Sequence, residues 1–204
     1  MKKIFYVFIL AIALISFTAC GNKKENKNDI KEIYVLLSLN MRLSQEDRMK
    51  LYEDYLDDVV QEKGYGYVTG GGTWLEKGEP SISEVEFYIY SNKLNDFITL
   101  MKENETIAKG SYLEYNEEKV SIGILEGLVF SINKKLDNDS INKLANEVTE
   151  ALKENGKYYS HYIGENSTNL YLYGKSFDTM KIKIEEYSKK CTVCQNSTIS
   201  YMTK

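Results

Sequence analysis

The chain is short of proline, histidine, cysteine and basic charge. It holds one proline, one histidine and three cysteines in 204 residues. So few histidines and cysteines leave little material for a metal centre, and we expect no metal and no cofactor. Acidic residues outnumber basic ones by 30 to 26, which argues against nucleic acid as a partner, because phosphate binding needs clustered Lys and Arg. The 43% of hydrophobic residues is typical of a folded protein.

The first twenty residues have the layout of a targeting signal. A basic start, Met1–Lys3, precedes Ile4–Phe17, a run of fourteen residues without charge. This run has the length of a signal-peptide apolar region and is shorter than the ~20 residues that cross a bilayer. Small residues then lead directly to Cys20. The segment resembles the lipobox of bacterial lipoproteins.

The lipobox resemblance implies cleavage before Cys20 and acylation of its sulfur and new amino group, palmitate being one such acyl chain. Residues 1–19 are then a signal peptide, and residues 20–31 are the lipidated cysteine and a polar, flexible tether. Several acyl chains anchor a protein stably, because each buried CH₂ adds ~0.8 kcal/mol. We therefore expect a cell-envelope protein, held by lipid on the extracytoplasmic side of a bacterial membrane. The alternative is a secretory signal with an incidental cysteine.

Strands and helices alternate in a regular order after the tether. Apolar residues recur at every second position in the predicted strands and at helical spacing in the predicted helices. The predicted elements are strands over 33–39, 65–75, 85–89 and 111–115 and helices over 44–63 and 94–101. Their order along the chain is βαββαβ.

The same order then repeats. The predicted elements are a strand over 120–132 with bulge points at Gly123 and Gly127, a helix from Asp139 to Gly156, a hairpin over 158–173, a helix over 177–187 and a strand over 198–202. Phe87–Tyr90 aligns with Leu170–Tyr173 at an offset of 83 residues, which suits a duplicated small domain.

The βαββαβ order is that of the ferredoxin-like unit. We therefore predict an α+β chain of two tandem ferredoxin-like units, over residues 32–116 and 117–204. Each unit forms an antiparallel sheet with two helices on one face.

Four tyrosines alternate with the apolar residues of two strands. Strand alternation places Tyr88, Tyr90, Tyr171 and Tyr173 on the faces away from the helices. A tyrosine has an apolar ring and a polar hydroxyl, which suits a partly solvent-exposed surface. We expect either that the two sheets face each other or that they jointly form a tyrosine-rich binding surface.

Cys191 and Cys194 form a CxxC motif after the last predicted helix. Redox enzymes place such a pair at a helix N-terminus, where the dipole lowers the thiol pKa. Here the motif follows the helix, so we expect a structural disulfide or two unreactive thiols. An envelope thiol oxidoreductase is the third and weakest functional hypothesis.

The run Gly70-Gly71-Gly72 lies inside a predicted strand and leads into another strand. A phosphate-binding loop leads into a helix instead. We expect a bulge or a close backbone approach, with a ligand or a partner strand against the bare backbone as the alternative. His161 has no recognisable catalytic partners and is expected to be a packed or surface histidine.

The predicted helix over 44–63 is rich in acids. It carries seven acidic residues, for which we expect a solvated outer face, with a docking surface for a basic partner as the alternative. These acids are Glu46, Asp47, Glu53, Asp54, Asp57, Asp58 and Glu62.

Four short stretches are similar to a group of small bacterial proteins with tandem ferredoxin-like halves. They are Gly66–Thr73, Glu84–Phe87, Leu125–Leu128 and Tyr171–Gly174. Some relatives of that group look like toxin-immunity proteins. The resemblance implies binding or inhibition of another protein, and it implies no catalytic residues.

The sequence favours a lipid-anchored protein that is not an enzyme and binds a macromolecular partner, such as a protein, without catalysis. The alternative hypothesis is a small-ligand-binding lipoprotein, with the ligand between the two halves near Gly70–Gly72.

Intact mass tests the anchor. The natural protein should lack residues 1–19 and carry the added mass of acyl chains, and Cys20→Ser should remove that added mass and release the chain from the membrane fraction. An unmodified chain that still begins at Met1 would contradict the lipobox assignment.

Overall fold

A computed structural model describes residues 30–202 of the chain. The predicted signal peptide, Cys20 and most of the tether lie outside the described residues. The first half contains β1 (Glu32–Leu39), α1 (Gln45–Arg48), a π-helical turn (Met49–Glu53), α2 (Asp54–Glu62), β2 (Gly66–Glu76), β3 (Glu79–Tyr90), α3 (Leu94–Lys102), β4 (Ser111–Tyr115) and β5 (Glu118–Ile122). The second half contains β6 (Glu126–Ile132), α4 (Asn138–Leu152), β7 (Lys157–Ile163), β8 (Thr168–Gly174), α5 (Phe177–Ser188) and β9 (Thr198–Tyr201).

Strand order confirms the predicted fold class. The first sheet has the order β2-β3-β1-β4-β5 and the second has β7-β8-β6-β9. All pairings in both sheets are antiparallel. In each half the third strand lies beside the first, and the fourth lies on the first strand's other side. This is the arrangement of a ferredoxin-like βαββαβ unit, and β5 extends the first copy by one strand.

The single strand predicted over 120–132 is wrong. The structure divides it into β5, which pairs with β4 in the first sheet, and β6, which is central in the second. The division falls at Gly123, whose φ of +91° suits glycine, and a Cβ there would lie 2.1 Å from the Ala108 carbonyl oxygen. The next two residues are held to the first half, since the Ile124 and Leu125 N–H groups donate to the Ile107 carbonyl.

Helix starts follow the sequence signals. Ser44 caps the first helix by accepting a hydrogen bond from the Asp47 N–H, and Ser176 caps α5 in the same way through Thr179. Asp137 caps α4, slightly before the start expected at Asp139. Short polar caps therefore set where α1, α4 and α5 begin.

Each half has a core between its helices and one face of its sheet. In the first half Val85, Phe87 and Ile89 of β3 are buried, and Phe87 packs against Phe97 of α3 with ring centroids 5.1 Å apart. In the second half Leu170 and Leu172 of β8 are buried in a separate cluster with residues of α4 and α5. The alternate residues of the same strands face the other way.

The other face of the second sheet is buried against the first half. Tyr171 and Tyr173 are 0% and 1% exposed and belong to the core cluster of the first half, together with Met41 and Tyr52. The corresponding face of the first sheet stays exposed, with Tyr88 at 37%. Neither expected arrangement is therefore correct: the two tyrosine faces do not meet, and they form no joint surface.

Burial of the two tyrosines is possible because each hydroxyl has a partner. The Tyr171 hydroxyl donates to Glu79 Oε1, and Glu79 also forms an ion pair of 2.8 Å with Arg42. The Tyr173 hydroxyl accepts from the Arg42 N–H at 2.7 Å and donates to Met202 Sδ at 3.2 Å. Burial raises the pKa of both phenols, so both stay neutral at ordinary pH.

Asp47 joins the halves at a second point. Its Oδ2 accepts from the Ser44 hydroxyl and from the Ser160 hydroxyl of β7, both at 2.6 Å. Ser160 Oγ in turn accepts from the Ser44 N–H at 3.1 Å. The cap of the first helix is thus also part of the contact between the halves.

No helix within residues 30–202 is long and apolar enough to cross a membrane.

Tyr173→Phe tests the contact between the halves. The change leaves the partly buried Arg42 N–H without its acceptor, and we expect the free energy of unfolding in urea to fall by ~1 kcal/mol. Tyr88→Phe, on the exposed face of the first sheet, is the matched control and should change it by less than ~0.5 kcal/mol. Equal effects of the two variants would contradict the burial of this tyrosine face.

Candidate functional site

The face of the first sheet that points away from its helices forms the candidate site, and we call it the open face. Strand pairing places two kinds of side chain on it: aromatic rings and carboxylates. The rings are those of Tyr34, Tyr67, Trp74, Tyr88, Tyr90 and Tyr112, and the carboxylates are those of Glu32, Glu84, Glu86 and Glu114.

The aromatic rings are in contact with one another and accessible. Tyr88 lies at the centre, with its ring centroid 6.0 Å from that of Tyr34 and 5.9 Å from that of Tyr67. Tyr34 is 44% exposed and Trp74, towards the end of β2, is 61% exposed. Exposed rings grouped in this way are typical of a binding surface.

The carboxylates lie among these rings. Glu84 accepts a hydrogen bond of 2.7 Å from Trp74 Nε1, and Glu86 is two residues from Tyr88 on β3. Burial, and then the negative charges of Glu86 and Glu84, raise the pKa of the Tyr34 hydroxyl. The open face therefore has a negative potential next to its aromatic rings.

One corner of the open face already holds a cation. Lys119 of β5 places its Nζ 4.5 Å from the centre of the Tyr112 ring and 3.0 Å from Glu114 Oε2. The hydrogen bond to Glu114 raises the Lys119 pKa, and partial burial opposes this effect. The pair of a tyrosine ring and a glutamate carboxylate is thus an arrangement that binds an ammonium group in this protein.

The four tyrosines expected at the surface lie in different places. Tyr88 is exposed and Tyr90 is half-buried on the open face, whereas Tyr171 and Tyr173 are inside the protein. The repeat is therefore symmetrical in sequence and asymmetrical in burial, because only the second copy's face is covered by the other half.

Gly70–Gly72 lie on β2, where the structure confirms a bulge and a close backbone approach. The register with β3 shifts between Val68 and Gly70. A Cβ on Gly71 would come within 2.3 Å of Arg48 Nη1 and 2.1 Å of the Glu84 carbonyl oxygen. Glycine is required at position 71 because the Glu84 carbonyl of the neighbouring strand, and next to it the Arg48 guanidinium, occupy the space that a Cβ would need.

Arg48 was not singled out in the sequence, yet it is the most buried charged side chain near the glycines. It is 3% exposed and pairs through Nη1 with Glu53. The π-helical turn explains this pair, since residues five positions apart lie one above the other when hydrogen bonds span five residues. Only the isolated arginine in an acid-rich helix could have drawn attention to it.

The acidic helix divides into structural and solvated carboxylates. Asp47 and Glu53 make the contacts above, and Asp57 accepts from the Val68 N–H of β2 at 2.9 Å. Glu46, Asp54, Asp58 and Glu62 are exposed. The helix is therefore less available as a docking surface than its composition indicates.

His161 is half-buried on β7. Its Nδ1 is 2.7 Å from the Tyr158 hydroxyl. Burial lowers the pKa of His161, and the charge of Asp47 partly opposes that effect. The histidine is therefore mostly neutral at pH 7.

No group of three or more His, Cys, Asp or Glu residues suited to a metal ion occurs in the described part of the chain.

Cys191 and Cys194 are joined in a disulfide just after α5 ends at Ser188. Cys194 is 2% exposed and packs in the core of the second half. The motif thus lies at the C-terminal, negative end of the helix, where the dipole does not favour a thiolate.

No protein-family model and no curated protein matches this chain. Among solved structures, the first two RRM domains of yeast poly(U) binding protein are 14% identical, with 83% of this chain and 99% of that chain covered and a TM-score of 0.26. An anthrone oxidase-like protein is 13% identical, with 81% and 80% covered and a TM-score of 0.28. Chlorite dismutase from Candidatus Nitrospira defluvii is 11% identical, with 86% and 92% covered and a TM-score of 0.26. At such TM-scores the fold assignment rests on strand order, and no function is transferred.

The double substitution Cys191→Ser/Cys194→Ser separates a structural disulfide from a redox centre. Loss of this short loop closure should lower the free energy of unfolding by ~2 kcal/mol, and reductant should lower that of the unaltered protein equally. Insulin reduction by the unaltered protein should stay at the uncatalysed rate. Turnover that disappears in the double variant would instead establish a thiol oxidoreductase.

Proposed function

We propose that this protein is a lipid-anchored binding protein of the cell envelope, and that its open face binds a basic region of a protein partner without catalysis. The observation that carries the proposal is the mixture of accessible aromatic rings and carboxylates on one sheet face. Tyr88 with Tyr34 and Tyr67 supplies the rings, and Glu84 with Glu86 supplies the charge.

The chemistry of the open face suits lysine and arginine side chains. A cation over an exposed aromatic ring contributes ~0.5–1 kcal/mol, and a carboxylate beside the ring adds direct charge attraction. Lys119 illustrates the geometry, since its amine lies over Tyr112 and pairs with Glu114. Tyr34, Tyr88 and Trp74 offer rings of the same kind near Glu84 and Glu86.

The same charge argues against nucleic acid. Sheet faces that bind RNA also carry aromatic rings for base stacking, but they depend on positive charge for the phosphates. Here the rings lie beside Glu84, Glu86 and Glu114, which repel phosphate. The open face therefore selects a cationic partner over a nucleic acid.

The anchor fits such a role. Cys20 would hold the chain at the membrane, while β1, the central strand of the open face, begins only eleven residues after Gly21 at Glu32. A partner captured at the open face is then kept near the membrane surface. Covering the partner's basic surface is also what an inhibitor or immunity protein would do.

Site-specific photo-crosslinking in intact cells tests this proposal with the full chain. We expect benzoylphenylalanine at position 88 to give an adduct with a protein that has a Lys- or Arg-rich surface. Position 55 is the matched control, because Tyr55 is 55% exposed on α2 and lies outside the open face. Equal adducts at both positions, or none at position 88, would contradict the proposal.

Charge reversal supplies the second control within the same experiment. Glu86→Lys places a like charge opposite the partner and should reduce the position-88 adduct about tenfold, as should high salt. Glu150→Lys changes net charge by the same amount on an exposed position of α4 and should leave the adduct unchanged. Equal losses in the two variants would show an effect of overall charge alone.

A further inference from the structure

A cavity of about 570 Å³ lies where the two halves meet, on the helix side of β2. Its walls come from three elements: the start of the first helix, the strand β2 and the strand β7. Arg48, Gly72 and Thr73 line it from the first half, and His161 and Ile163 line it from the second. Both strands are outermost in their sheets.

Two residues that line the cavity each have a buried side-chain atom without a hydrogen-bond partner. Within residues 30–202, the buried side-chain nitrogen and oxygen atoms that lack a partner are Arg48 Nε and Thr73 Oγ1. Both residues line this cavity. A buried donor left unpaired costs free energy, so the coincidence points to a ligand that supplies the missing acceptor.

The arginine is held in place for this role. Its Nη1 pairs with Glu53 and donates to the Glu84 carbonyl at 3.2 Å, which fixes the guanidinium plane. Gly71 leaves room for it, since a Cβ at that position would lie 2.3 Å from Arg48 Nη1. Thr73 pairs with Ser83 in the strand register, and Gly71 pairs with Val85, so both face the helix side where Arg48 lies.

Charge around the cavity indicates a neutral ligand group. The positive charge of Arg48 is balanced by Glu53, and the Asp47 carboxylate lies one residue away along the helix. An anion would meet no excess positive charge there, whereas a carbonyl oxygen can accept from Nε without a charge of its own.

The rest of the lining indicates an apolar group beside that carbonyl. Leu75, Pro80 and Ile163 line the cavity, and Leu75 is 63% exposed. A peptide backbone with apolar side chains provides both the carbonyl and the apolar group.

We propose that this cavity binds an uncharged, extended peptide segment, with a peptide carbonyl oxygen accepting hydrogen bonds from Arg48 Nε and Thr73 Oγ1. This site is separate from the open face, which lies on the opposite side of β2. The two proposals therefore stand or fall independently.

The Arg48 Nε–H resonance tests the site directly. The ¹⁵N-labelled full chain in detergent is titrated with acetyl-Leu-Val-Leu-amide, and we expect a saturable shift of the Arg48 Nε–H signal. Acetyl-Gly-Gly-Gly-amide, which lacks the apolar groups, should bind at least about tenfold more weakly. No saturable shift with the first peptide, or an equal shift with sodium acetate alone, overturns the proposal.

Thr73→Val separates binding from structure. The substitution removes the hydroxyl and keeps the shape, so peptide affinity should fall about tenfold while the melting temperature stays constant or rises, because a buried unpaired hydroxyl is lost. Thr69→Val, on the same strand but exposed and outside the cavity, should leave peptide affinity unchanged. A lower melting temperature of Thr73→Val with unchanged peptide affinity would show that the hydroxyl has only a structural role.

Discussion

Burial of one tyrosine face against the first half is the contact on which the rest of the structure depends. Tyr171 and Tyr173 can leave water because Glu79, the Arg42 N–H and Met202 satisfy their hydroxyls. This contact turns two similar units into one body. It also decides which sheet face stays free and creates the cavity between β2 and β7.

The asymmetry gives two similar units different free surfaces. Two equal copies would each have an uncovered sheet face, and both faces would be equally exposed to solvent. Here the second copy is covered and supports the first, while the first copy presents Tyr34 and Tyr88 together with Glu84 and Glu86. The two faces share the same strand pattern and differ in charge and exposure.

The sequence predicts the elements well because their signals are local. Alternation in Phe87–Tyr90 and Leu170–Tyr173 identifies the strands β3 and β8, and Ser44 and Ser176 mark helix starts. What it could not predict depends on contacts between distant residues. Nothing near Tyr171 shows that its hydroxyl bonds to Glu79, 92 residues away in the chain. Nothing near Gly123 shows that the Ala108 carbonyl leaves no room for a Cβ there.

The candidate sites also combine features that are visible in the sequence with features that depend on contacts between distant residues. The aromatic and acidic residues of the open face are visible in the sequence, but their neighbourhood is a product of strand register. Arg48 and Thr73 carry no sequence signal, because an unpaired atom is defined only by what surrounds it. The sequence predicts a close backbone approach at Gly71, but only the structure shows that the Glu84 carbonyl and the Arg48 side chain are what approach it.

The connection between the halves has a consequence for how a ligand is held. Only three residues, 123–125, separate β5 from β6, and the Lys109 N–H and the Leu125 N–H both tie this connection to the first half. So short a connection, with hydrogen bonds to the first half, provides no hinge about which the halves could close around a ligand. Tight binding at the proposed cavity would then depend on a shape that exists before the ligand arrives, with little loss of motion on binding.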